Sequence, residues 1–359
     1  MKPVKSAYVK QALRGFSGYV PGEQPVQSRG ILKLNTNENP YPPSPRVFEA
    51  LQGFDAGDLG RYPDPTSQRL REAAGDLLGV SPDWVIAGNG SDELLAMVLR
   101  AFLDPGQTVT YPVPTYSLYP TLVKMYGGVT VEKPADLGAP KVEAVIDTPA
   151  AVTFIASPNA PDGYAVKTGE IARLCKAREG IGVVVADEAY VDFTFSNSLP
   201  LVSEHENLIV TRSLSKSFSL AGLRVGLAIA QPGLVQPLLA VRDSYNLGTL
   251  AQVLATAAIE AVVTRRANAD RIMETREETT HALVERGWKV YPSEANFIFA
   301  IPPGGGGEKI YRGLVEKGIY VRYFDAPPLR GGVRITIGTS EDMTRLIGAI
   351  DEEAEGQAG

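Results

Sequence analysis

The segment Asn207–Gly226, NLIVTRSLSKSFSLAGLRVG, decides how the rest of the chain is read. It opens with Leu208-Ile209-Val210, an apolar run of the kind used by a strand buried in a parallel sheet. The run then breaks into serines, glycines and basic residues, with Lys216 between Ser215 and Ser217. Alone, a lysine in such a loop reads as solvated surface. Its company changes that: Ser213 and Ser215 precede it, Arg224 follows, and no acid or amide interrupts them. Hydroxyls with a guanidinium fork suit a phosphate dianion. A lysine beside them suits a Schiff base to a phosphate-bearing aldehyde, and pyridoxal phosphate is such an aldehyde.

On either side of this segment, apolar runs alternate with helical spacing. Strands are expected at Asp83–Ala87, Thr108–Tyr111, Ala151–Ala156, Gly182–Ala186, Leu208–Val210 and Val225–Ile229. Helices are expected at Ser67–Leu78, Leu94–Leu103, Tyr116–Tyr126 and Ile171–Arg178. This alternation predicts an α/β domain with a largely parallel sheet. From Pro237 the pattern turns helical, through Leu250–Ala267 and on to His281–Glu285. An α+β tail follows, with strands at Asn296–Ile301, Gly318–Tyr323 and Val333–Ile337 and helices at Glu308–Lys317 and Glu341–Glu353. Residues 1–45, rich in Pro, Asn and Gly, read as an extended arm. Gly304–Gly307 lacks a following Lys-Ser/Thr and is a flexible turn, not a P-loop.

Ligands in open α/β sheets sit beyond the carboxyl ends of the strands, and polar residues gather at these ends. Asp187 stands where GVVVA stops, with Tyr190 three residues on. A carboxylate there is costly unless paired; it reads either as a turn aspartate or as the partner of a protonated pyridine nitrogen. Gly90-Ser91-Asp92 lies where a strand enters a helix, which is an ordinary cap or an anion site. Tyr116 packs, or stacks on a flat ring. The combination is far more specific than its parts.

Bulk properties exclude other classes. At 359 residues, with 44% apolar and 21% charged residues, the chain has room for two soluble domains. A net charge of −6 argues against nucleic acid or an anionic membrane as the main partner. The single cysteine, Cys175, permits no internal disulfide and suits a reducing, cytoplasmic setting; it is expected in a helix, buried or half-buried. No apolar run approaches the length of a membrane helix. The basic N-terminus lacks a secretory core and is expected to belong to the mature protein. No metal is expected.

The order GNGSDE, PTYSLY, SPNAPDG, ADEAY, SLSKSFSLAGLRVG resembles the fold-type I pyridoxal-phosphate aminotransferases. Within them it is similar to the histidinol-phosphate aminotransferase branch, through LNTNENPYPPSP, RYPDP, EANFIF, YVRYFD and VRITIGT as well. The resemblance implies a large domain, 41–250, with a mostly parallel seven-stranded sheet flanked by helices. A smaller α+β domain would be assembled from 1–40 and 251–359. It implies pyridoxal 5'-phosphate as cofactor and a homodimer with shared active sites. Lys216 would anchor the cofactor and shuttle a proton, Asp187 would hold the pyridine nitrogen, Tyr190 would donate to the ring O3′, and Tyr116 would stack on the ring. Gly90, Ser91, Asp92, Ser213, Ser215 and Arg224 would surround the phosphate, with Tyr62 reaching it from the neighbouring subunit.

One departure stands out. The family loop usually reads Asn-Asn-Pro-Thr-Gly, but here Ala160 and Asp162 replace the second asparagine and the threonine. Either Asn159 takes over the O3′ contact through a shifted backbone, or Tyr190 carries it alone. For substrate, the resemblance implies L-histidinol phosphate with glutamate and 2-oxoglutarate as the second pair. Arg334 would grip a carboxylate, and Arg322, Arg334, Tyr19 and Tyr245 would receive the phosphate. Asn37 would line the same pocket. The rivals are an aromatic aminotransferase and a threonine-phosphate decarboxylase of the same fold. A pyridoxal-phosphate-binding regulator without turnover is disfavoured by the short run before LNTNEN and the acidic balance.

Overall fold

The structure, a computed structural model, describes residues 6, 8–10, 13–16, 18, 19, 22–25 and 30–355. After a short strand β1 (Leu32–Lys33), seven strands build one sheet: β2 (Val85–Gly88), β3 (Thr108–Val113), β4 (Val129–Pro134), β5 (Val152–Ala156), β6 (Val183–Asp187), β7 (Leu208–Ser213) and β8 (Gly226–Ile229). Their order is β2-β8-β7-β6-β5-β3-β4. From β7 to β4 every pairing is parallel, whereas β8 runs antiparallel to both β7 and β2.

Every residue of β5 and β6 is buried, as a sheet covered on both faces requires. The period-2 alternation divides them between two cores. Val184 and Ala186 join one core with helices Gln68–Leu78, Thr168–Ala177 and Thr249–Glu260. Val183 and Val185 join the other, with helices Ser91–Phe102, Tyr119–Met125 and Pro232–Val241. Phe154 of β5 is fully buried and stacks on Tyr119 at 4.7 Å. Truncating it to alanine would cost about 3–5 kcal/mol and would loosen the tyrosine that reaches Asp187. Cys175 is buried in the first core, where desolvation pushes its thiol up to about 12.

A second sheet holds β9 (Lys289–Val290), β10 (Phe297–Ile301), β12 (Arg322–Tyr323) and β13 (Val333–Thr336), in the order β12-β13-β10-β9. Between them β11 (Ile319–Tyr320) pairs in parallel with β1. A third core joins this sheet to Leu32 and Leu34 of the arm and to helices Val262–Glu285 and Ser340–Glu355.

The departures from expectation have physical reasons. Strand β4 has no fully buried residue and forms the sheet edge, with Lys133 and Pro134 at its end, so it carries little apolar pattern. The helix expected from Tyr116 begins only at Tyr119, because Pro120 fits only a first turn. The expected strand Gly318–Tyr323 divides at Val321 between two sheets. The helix expected over Leu250–Ala267 breaks at Ala261, whose backbone (φ −106°, ψ 44°) leaves the helical region.

Candidate active site

The parallel strands deliver their ends to one cleft of about 670 Å³. Register sets the centre: Asp187 closes β6 directly beside Ala156 of β5 and Thr211 of β7. Thr211 Oγ1 therefore donates to Asp187 Oδ1 at 3.1 Å, and Tyr119 donates to Oδ2 at 2.9 Å. Burial nonetheless raises this carboxyl to about 6, because the two hydroxyls only partly replace water. A cationic ligand atom at Asp187 would complete the pairing.

Beyond β7, Ser213 Oγ accepts the Ser215 amide at 3.1 Å, tightening the turn that carries Lys216. The Lys216 side chain is open to the cleft but walled by protein. Its Nζ donates to Thr36 O at 3.3 Å and lies 5.6 Å from the Tyr190 ring centroid. Desolvation, and after it the charge of Arg334, lowers the amine to about 8. Asn39, in the arm, fixes the lysine backbone: its Nδ2 donates to Lys216 O at 2.9 Å and Ser217 O at 3.3 Å.

One end of the cleft is built like an anion cradle. The helix Ser91–Phe102 starts without a side-chain cap, leaving first-turn amides for a ligand. Arg224 arrives from a left-handed residue (φ 56°), donating to Ser215 Oγ at 3.2 Å and to Asp92 Oδ2 at 3.3 Å. Gly90 (φ 81°) must be glycine here, since a Cβ would stand 2.6 Å from the Arg224 guanidinium. Tyr116 donates to Asp92 Oδ1 at 3.0 Å, which anchors its ring at the cleft wall.

The other end is arginine-rich. Arg322 of β12 lies directly opposite Arg334 of β13. Among the described residues neither pairs with a carboxylate. Arg334 Nη2 donates to Asn35 O at 2.9 Å, its Nε has no partner, and both guanidiniums sit against Phe324. Tyr19 feels both charges, which oppose the upward push of burial on its hydroxyl. Buried Thr36 Oγ1 and Asn35 Oδ1 are also without partners.

Of the residues picked out from sequence, the cleft brings together Tyr19, Asn37, Ser91, Asp92, Tyr116, Asp187, Tyr190, Ser213, Ser215, Lys216, Arg224, Arg322 and Arg334. Gly90 stands behind Arg224. Asn159 does not line the cleft: its Nδ2 donates to Pro114 O and Asp162 Oδ1, and its Oδ1 accepts from Thr115. With its amide so committed it is not free to stand in for the residue replaced by Ala160. Asp162 explains why, since its carboxylate holds Asn159 while forming a fully buried ion pair with Lys141 at 2.7 Å. Tyr245 is likewise outside this chain's cleft; it stacks on Tyr62 at 4.5 Å on the exposed surface. Thr36, Asn39, Tyr119 and Thr211 were not picked out. All four lie in stretches quoted above, Thr36 and Asn39 in NTNENP, Tyr119 in PTYSLY and Thr211 in NLIVTRS, but nothing in those stretches marks their contacts.

These residues fit pyridoxal phosphate: a buried acid with neutral donors but no cationic partner, a lysine with a lowered pKa, and an uncapped helix start beside an arginine. The chain belongs to the class I and II aminotransferase family, whose model matches residues 29–350, and it is a pyridoxal-phosphate-dependent enzyme of the mostly parallel α/β fold. The histidinol-phosphate aminotransferase 1 of Nostoc sp. is 44% identical over 97% of this chain and 98% of its own, which places the sequence among the histidinol-phosphate aminotransferases. The fold matches the histidinol-phosphate aminotransferase of Sinorhizobium meliloti, solved with pyridoxal-5'-phosphate (TM-score 0.85, 24% identity, 91% of each chain). It also matches the L-threonine-O-3-phosphate decarboxylase of Porphyromonas gingivalis (TM-score 0.78, 20% identity, 90% of this chain and 100% of that one). Fold alone therefore does not choose the reaction.

Proposed function

We propose that the enzyme transfers the amino group of L-histidinol phosphate to 2-oxoglutarate, giving imidazole-acetol phosphate and L-glutamate in histidine biosynthesis. The observation that carries this reading is the Arg322–Arg334 pair. Two like charges across one strand pair are costly without a counter-anion, and no carboxylate of the described chain supplies one. A phosphate or a dicarboxylate bound in turn would relieve both. An aromatic donor would leave one guanidinium unpaired.

When bound, pyridoxal phosphate supplies the electron sink for the pair released at the substrate Cα. Lys216 Nζ, with its pKa near 8, is neutral often enough near pH 7–8 to take the Cα proton and return it. Asp187 would hold the ring nitrogen and stabilise its positive charge. The Ser91 and Asp92 backbone amides, Ser213, Ser215 and Arg224 would hold the phosphate, Tyr116 would cover a ring face, and Tyr190 would address the ring oxygen unaided by Asn159. Tyr19 and the arginine pair hold the substrate anion.

The proposal includes a homodimer. Phe48, Leu51, Leu59, Tyr62, Tyr245 and Val253 are large apolar side chains left exposed in segments joined by the Tyr62–Tyr245 stack and by Gln252 bonding Asp64 O. A second copy would cover them and bring Tyr62 to its neighbour's phosphate. Sedimentation as a monomer at micromolar concentration would refute this. The division into 41–250 against 1–40 plus 251–359 is likewise proposed, supported by the arm residues in the third core. No described helix is long and apolar enough to cross a membrane; a cytoplasmic setting is part of the proposal.

The test is the visible spectrum of the cofactor-bound enzyme with single donors. Bleaching by L-histidinol phosphate and recovery with 2-oxoglutarate are expected. Bleaching only by tyrosine or phenylalanine would move the substrate to the aromatic class, and release of CO2 from threonine phosphate would move the reaction to decarboxylation.

A further inference from the structure

The hydrogen-bond chain Thr336–Asn37–Tyr190 has a polarity that can be worked out donor by donor. Asn37 and Thr336 are each 2% exposed, so water does not complete their bonding. The Asn37 backbone N–H can only donate, and its partner is Thr336 Oγ1 at 3.0 Å. That hydroxyl therefore accepts, and its own hydrogen goes to the Asn37 side-chain oxygen at 3.1 Å. The oxygen of the amide is thus turned toward Thr336. The Nδ2 is turned toward Tyr190, whose hydroxyl oxygen it approaches at 2.9 Å.

Flipping the amide would leave the Thr336 hydrogen without an acceptor in a buried place, which is the costly alternative. The main chain cannot shift to help, because Asn37 O is held by Asn296 Nδ2 at 3.0 Å and Asn37 sits at φ 56°. Since Tyr190 accepts from Asn37, its single hydrogen is left for the cleft. Its ring is packed edge-on against Phe297 at 5.0 Å, so the hydroxyl cannot swing elsewhere. On that wall Ala160 has no polar side chain and the Asn159 amide is already committed.

We propose that Thr336 is a positioning residue whose hydroxyl fixes the Asn37 amide so that Tyr190 presents its proton, and not its lone pair, to the cleft. Asn37 then serves Tyr190 and does not contact substrate. Thr336 lies two residues after Arg334 on β13, so the same strand face carries both the anion grip and this control of the tyrosine. The inference rests on the cofactor reading of the cleft.

The test is the dissociation constant of pyridoxal phosphate from the full-length apoprotein, measured by fluorescence quenching. Thr336→Val and Thr336→Ser are compared in the wild-type and Tyr190→Phe backgrounds. Thr336→Val should weaken binding about tenfold in the wild-type background, as expected for one hydrogen bond to a polar ligand. It should have less than about a twofold effect once Tyr190 is phenylalanine. Thr336→Ser keeps the hydroxyl and should restore binding. Asn37→Asp offers an acceptor in place of the Nδ2 donor, turns the Tyr190 proton away from the cleft, and should bind more weakly than wild type. Equal losses for Thr336→Val in both backgrounds would make Thr336 a packing residue and overturn the proposal. So would an unchanged constant for Thr336→Val, or wild-type binding by Asn37→Asp. Wild-type apoprotein without affinity for pyridoxal phosphate would instead overturn the cofactor reading beneath it.

Discussion

The two ends of the cleft handle charge in opposite ways. At the helix start, Arg224 is already paired with Asp92 at 3.3 Å and with Ser215, so the cradle is nearly balanced before any ligand arrives. At the small sheet, Arg322 and Arg334 face each other with no acid between them. A balanced end with extra amide donors suits a group that stays. An unbalanced end suits anions that come and go, because its electrostatic cost is relieved only while a substrate is bound. On the proposed reading the resident is the cofactor phosphate and the visitors are histidinol phosphate and 2-oxoglutarate.

The largest effect should come from the residue both ends serve. Lys216→Ala leaves each anion site intact, yet multiple turnover should fall by about 10⁴- to 10⁶-fold, as for other covalent anchors; steady-state assays with either donor check this. Arg322→Gln should raise KM for the phosphorylated donor about 10- to 100-fold with little change in cofactor retention. Arg334→Gln should raise KM for both donors. If Arg322→Gln instead released the cofactor, the two ends would not be separate. The converse variant, Arg224→Gln, should weaken cofactor retention about tenfold in dialysis and leave both KM values near wild type.

A smaller effect concerns Asp187 and pH. Its folded pKa is raised from 3.8 to about 6, so between these values the folded protein binds more protons than the unfolded chain. Stability of the cofactor-free protein from this group is therefore full below about pH 4 and falls as pH rises to about 6, by at most about 3 kcal/mol. Asp187→Asn should remove that part of the slope in urea melts taken across the range. A slope unchanged by the substitution would show that the carboxyl is already paired without the cofactor.

Much of this was legible in the sequence because the informative residues sit at strand ends. The run GVVVA before Asp187 is wholly apolar, as is Leu208-Ile209-Val210 shortly before Ser213-Leu214-Ser215-Lys216, and polar residues closing such a run have few roles. What was hidden depends on three-dimensional neighbours. Nothing in ITIGT marks Thr336 until β13 carries it beneath Asn37, 299 positions away. Strand β4 was missed because an edge strand needs no buried face. Asn159 and Tyr245 lie outside this chain's cleft for related reasons: sequence gives a side chain's chemistry but not what has already occupied it. Asp162 had taken the amide of one, and the ring of the other had stacked on Tyr62.

The Lys141–Asp162 pair has a consequence for how this loop can change over time. Both side chains are almost fully buried, at 1% and 0% exposure. Replacing either alone strands a charge in the interior, at about 3–5 kcal/mol, a large share of a typical domain's stability. Replacing both with neutral residues of similar size removes the penalty. The two positions are therefore bound into one heritable unit, although they stand 21 positions apart. A lineage carrying this aspartate returns to the commoner threonine only by way of a partner substitution, so the SPNAPDG loop is held less by its own chemistry than by a lysine outside it.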